Sequence, residues 1–199
     1  MEAITRRGFT GRMLAGAGAV YLAGVNTACW LSGSVFASIM TYVGIGLTAF
    51  QAVVSLLDPP LALALAGTIA LVKAGFADLQ LAVQDYNNAP AADKTTLKNR
   101  IAVVLQDLQF EIQKFWSNLN LPGPLGTLVE GLLNIILSTL AGFAGQLPAP
   151  ITPPASVEKM KALAKTITVT PQVRNKSQFE SDFNAKWAAS GRPPVKFSK

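Results

Sequence analysis

Residues 69–119 read IALVKAGFADLQLAVQDYNNAPAADKTTLKNRIAVVLQDLQFEIQKFWSNL, and two apolar stripes run through them. Ile69, Val72, Phe76, Leu79, Val83 and Tyr86 recur at alternating steps of three and four. That period places them on one face of a helix running from about Leu61 to Asn87. Leu97, Ile101, Val104, Leu108, Ile112, Phe115 and Leu119 repeat the pattern. Lys73, Asp78, Gln84 and Asp85 fall off the first stripe, and Asn99, Gln106, Asp107 and Gln113 off the second, as a water-facing flank should. Asn87-Asn88-Ala89-Pro90 breaks the chain between the stripes, and Asp93 offers a cap for the second helix. A link this short makes the two helices antiparallel neighbours.

Working outward, Asp58-Pro59-Pro60 separates this pair from an earlier apolar helix, expected over about Ser38 to Leu57. Pro122-Gly123-Pro124 stops the third helix and can start a fourth, through Leu125, Leu128, Leu132, Ile135, Leu140 and Phe143. Glu130 is the one ionised residue between Lys114 and Glu158. A helix so poor in charge is either central to a bundle or embedded in a membrane, with Glu130 an ordinary helix residue or, less simply, a proton site. No stretch before Ile167 alternates with a period of two. The fold class expected is therefore all-α: an antiparallel bundle of about four helices over residues 38–147.

Pro148-Ala149-Pro150-Ile151-Thr152-Pro153-Pro154 has the composition of a stiff linker. Residues 148–199 then form a basic segment in which Ser156 caps a short helix and Thr166 to Val173 runs extended. Ser177-Gln178-Phe179-Glu180 reads as a capping box opening a last helix. Phe179, Phe183 and Trp187 follow at four-residue steps on one face, beside Lys186. Three large aromatics on a short helix must dock, either back onto the bundle or as a contact with a protein partner or membrane surface.

The other end of the chain concerns address. No charged side chain occurs between Arg12 and Asp58. Just before that run, Thr5-Arg6-Arg7-Gly8-Phe9 resembles the twin-arginine export signal, whose pattern is Ser/Thr-Arg-Arg-x-Phe followed by Leu and often Lys. Thr10 and Gly11 hold those last two positions here. The resemblance, carried by Arg6, Arg7 and Phe9, implies export of a folded protein to the periplasm or cell envelope. Arg6, Arg7 and Arg12 also suit the basic start of an ordinary secretory signal or of a retained anchor. Val35-Phe36-Ala37 satisfies the small-residue requirement for cleavage better than Asn26-Thr27-Ala28, so residues 1–37 form the expected signal or anchor and Ser38 the expected mature start. Cys29, with Leu22-Ala23-Gly24 upstream, is a second candidate terminus through lipidation, although Asn26 stands where a lipoprotein signal has Leu.

Composition limits the chemistry. Among 199 residues, 50% are hydrophobic, 14% are charged, none is His and Cys29 is the lone cysteine. This is too apolar for a disordered chain and long enough for one domain with a sizeable core. A mature chain beginning at Ser38 would lack an imidazole base, a thiolate, a disulfide and any Cys/His zinc site. No Gly-rich phosphate loop and no catalytic carboxylate pair is recognisable. The +6 net charge is also unevenly placed. Residues 38–147 carry five basic side chains against seven acidic, and residues 148–199 carry nine against three. The tail lysines are spread along elements, so a solvated surface is expected and nucleic acid is not.

These features lead to an exported, non-enzymatic helical protein of the bacterial envelope that needs no cofactor and acts by packing or partner binding. The alternative is an integral membrane protein or a membrane-inserting helical hairpin. Residues 39–72 carry one charge, Asp58, at a Pro-Pro turn, although the second arm is short of a full span before Lys73.

Overall fold

The computed structural model describes residues 33–57, 59–121 and 123–197. Among these, every regular element is helical: α1 (Gly33–Leu57), α2 (Pro59–Asn88), α3 (Lys94–Asn118), α4 (Gly123–Ala144), α5 (Ala155–Lys161) and α6 (Lys176–Trp187). Pro59 opens α2, where its missing N–H costs nothing and its fixed φ suits the first turn. Two 3-10 turns, Ala91–Asp93 and Ala188–Ser190, complete the set.

The stripes of α2 and α3 meet. Ile69, Val72, Phe76, Leu79, Val83 and Tyr86 are all buried, as are Ile101, Leu108 and Ile112 on α3 and Leu119 just beyond it, while Leu97, Val104 and Phe115 are partly buried. Arg100 reaches back to Asp85 at 3.2 Å, and Leu108 packs over Gly75, so α3 retraces α2 from their common turn. Burial on α3 is wider than one stripe, taking in Ala102, Leu105, Gln113 and Trp116. The reason is contact on several sides, since α3 packs on α2, α4 and α5. Further contacts join α1 to α2, while α6 packs on both α4 and α1. Phe50 of α1 meets Phe115 of α3 edge-to-face at 6.4 Å.

Local differences from the sequence expectations have simple causes. Asp93 sits in helical backbone at the end of its 3-10 turn and makes no capping bond, because a capping side chain needs an extended residue to fold back from. Ser156 lies inside α5 and donates to Asp107 Oδ1 of α3 at 2.5 Å, tying the two helices together. The capping box of α6 is built two residues earlier than Ser177: Gln178 N–H donates to Asn175 Oδ1 at 2.9 Å, and Asn175 N–H to Gln178 Oε1 at 3.0 Å. Asn is as good a cap as Ser, and here it wins. The described part of α1 runs from Gly33, so the expected cut after Ala37 falls within a helix in which Thr41 donates to the Ala37 carbonyl.

Candidate functional site

Arg6, Arg7, Phe9 and Cys29 lie outside the described residues. Phe179, Phe183 and Trp187 do not face outward; each is buried, at 0%, 0% and 4% exposure. Phe183 stacks between Phe179 and Trp187 at centroid distances of 6.0 and 5.9 Å. Phe197 closes the cluster edge-on, 5.4 Å from Phe183, and touches Tyr42 of α1 at 5.1 Å. The backbone beyond α6 is clamped to it: Val195 N–H donates to Asn184 Oδ1 at 2.8 Å, Asn184 Nδ2 to Val195 O, and Trp187 Nε1 to Pro193 O. Gly46 of α1 is where Phe183 rests, and a Cβ there would meet the ring. The aromatic face proposed as a partner or membrane contact is thus covered by the protein's own helices. Of the four residues considered for that role only Lys186 is exposed, its stem lying over Gly131 of α4.

The segment between α5 and α6 crosses the helices without regular structure, and their side chains hold its backbone. Gln113 is buried and pairs both ways with Ile167, accepting its N–H and donating to its carbonyl, each at 2.8 Å. Asn134 donates to Thr168 O at 2.9 Å, and Gln172 N–H donates to Ser138 O at 2.9 Å. Lys165 donates to Leu119 O at the C-terminal end of α3, with its ammonium 4.3 Å from the Trp116 ring. A cation there also complements the helix dipole.

This strap delivers Arg174 into a cleft of about 600 Å³ between α4 and α6, shared with Thr127, Glu130, Asn134, Asp182 and Lys186. The Arg174 side chain is 9% exposed and its Nε donates to Asp182 Oδ2 at 2.8 Å. Its Nη1 donates to Ser138 Oγ at 2.7 Å and Thr139 Oγ1 at 3.1 Å. The guanidinium is therefore committed to holding the strap, and Glu130 is exposed at the cleft wall. Nothing here pairs a nucleophile with a base. Among the described residues, no three His, Cys, Asp or Glu side chains gather as a metal site would require.

The remaining unusual surface lies across α1 and α2. A groove of about 630 Å³ runs between them, lined mainly by apolar side chains such as Met40, Ile45, Ala49 and Phe76, with Lys73 and Gln80 also on its wall. On α2, Leu63 is 80% and Leu71 62% exposed. From sequence this arm is expected to be core or a membrane hairpin and the α6 aromatics to dock either on the protein itself or on a partner; Leu63, Gly67, Ala70, Leu71 and Ala74, apolar or small at helical spacing, are the positions the structure leaves exposed.

No family model matches the chain, and neither a curated protein nor a solved structure shows significant similarity to it.

Proposed function

We propose that the chain is an exported, non-enzymatic protein of the bacterial cell envelope that works by packing against a partner or a membrane surface. In this reading residues 1–37 direct export, residues 38–147 form an antiparallel bundle of about four helices, and a Pro-rich linker joins it to a basic helical tail. The observation that carries the reading is the chemistry of the side chains. The chain has no His, and its sole Cys, at position 29, falls in the segment resembling an export signal. Its most buried polar side chains support the reading too, because Gln113, Ser138, Thr139 and Arg174 bind backbone and one another in roles that hold the fold.

The second reading, an integral membrane protein held through α1 and α2, draws on the charge-free run between Arg12 and Asp58. Intact mass and fractionation separate the two. Export predicts a mature mass starting near Ser38 in the soluble envelope fraction, lost when Arg6 and Arg7 are changed to Lys. A full-length mass retained by membranes through a carbonate wash contradicts export and favours the integral protein.

A further inference from the structure

We infer that the outward face of α1 and the first half of α2 lies flat on a lipid bilayer, which is the partner of the envelope protein proposed above and rests on that reading. The first reason is the residue set. From Pro59 to Val72 helix α2 carries no charge, and among the described side chains its exposed positions are Pro59, Pro60, Leu63, Gly67, Ala70 and Leu71. A helix facing water puts polar groups at such positions; further on α2 exposes Asp78, Gln84 and Asp85 alongside Leu81, which is 55% exposed.

The second reason is where the hydroxyls of α1 point. Thr41, Thr48 and Ser55 are spaced seven apart and exposed, yet each donates to the carbonyl four residues back, at 2.9, 2.9 and 2.8 Å. Donors closed on their own helix suit a medium that offers no acceptor. A protein partner would ordinarily be met with about one hydrogen bond per 100–200 Å², and this face turns its hydroxyl donors inward. The groove between the helices is open and lined mainly by apolar side chains, with Lys73 and Gln80 on its wall, and suits an acyl chain.

Length and charge set the orientation. Fourteen helical residues from Pro59 to Val72 rise about 21 Å, short of the ~30 Å hydrocarbon core. A carboxylate at position 58, between the two helices in sequence, would be costly to carry into hydrocarbon. Lying in the interface, by contrast, buries the leucines in the outer ~5–10 Å of the acyl region. Lys73, where the apolar stretch of α2 ends, and Lys176, whose ammonium stands 5.7 Å from the Tyr42 ring of α1, then sit where anionic headgroups would meet them.

Flotation of the purified full chain with vesicles of phosphatidylethanolamine and phosphatidylglycerol tests this. The chain should float, and Leu63→Glu/Leu71→Glu should lower the bound fraction at least tenfold with helical circular dichroism unchanged. Ile151→Glu, at a position 84% exposed but outside the face, should float as the wild type does. If the double Glu variant loses helicity, Leu63→Gln/Leu71→Gln replaces it with the same expected loss. A wild-type chain that does not float, or variants that float equally well, overturns the inference. So does a concentration-dependent dimer that the same substitutions dissociate while no lipid is bound, which would give the face to a second copy of the chain. Because the vesicle assay bypasses the export route, a chain that is exported but does not float removes the lipid contact alone. A chain that floats but is never exported removes the envelope reading.

Discussion

Two ion pairs of the same chemistry differ in what surrounds them. Arg100 and Asp85 are each more than half exposed, whereas Arg174 is 9% exposed and bonded to Ser138 and Thr139 as well as Asp182. Losing a surface pair costs little, since water and salt replace the partner. Losing Asp182 leaves a guanidinium largely out of water with one donor unanswered. Asp182→Ala should therefore cost about 1–3 kcal/mol, and Asp85→Ala at most about 1 kcal/mol, as read by urea unfolding. Equal losses would mean that Arg174 does not hold the strap. None of this was legible from residue type. Arg174 read as one of the tail's spread cations, and Gln113 as part of a water-facing flank. Their partners lie 36 and 54 positions away in Ser138 and Ile167, beyond the reach of any periodic pattern.

At the scale of elements, the helices of the hairpin were legible because their apolar residues keep a three-four period over many turns and Pro90 breaks them cleanly. Helix ends were less so: Asn175 and Ser177 both begin cap-like tetrads, and only packing selects between them. The wide burial on α3 was hidden for a related reason, since a helix contacted on several sides has no single stripe. Close approach of the strap to α4 gives a prediction with an unusual sign. Gly142 sits inside α4, where replacing Gly by Ala ordinarily stabilises by about 1 kcal/mol. Here an added Cβ would run into the Gln172 backbone carbonyl, so Gly142→Ala should destabilise by about 1–3 kcal/mol. A rise in melting temperature would show that the strap does not lie on α4.

For the whole molecule, the two apolar surfaces read from sequence have opposite fates. The tail aromatics could dock on the protein itself or on a partner, and packing against α1 and Phe197 buries them. Periodicity could not decide this, because a docking face has the same pattern whether its partner is the same chain or another. The α1–α2 arm looked like core or anchor, and it leaves Leu63 and Leu71 outside. The proposed contact therefore lies on α1 and α2 and not on the tail. The most direct measurement is nitroxide accessibility in the full chain carrying Cys29→Ser, with a label at Leu71→Cys or at Lys186→Cys, with and without phosphatidylglycerol-containing vesicles. The label at 71 should lose collisions with a water-soluble nickel chelate and gain them with oxygen when vesicles are added, while the label at 186 is unchanged. Shielding at 186 with position 71 still open to the chelate would return the contact to the tail helix and contradict the account.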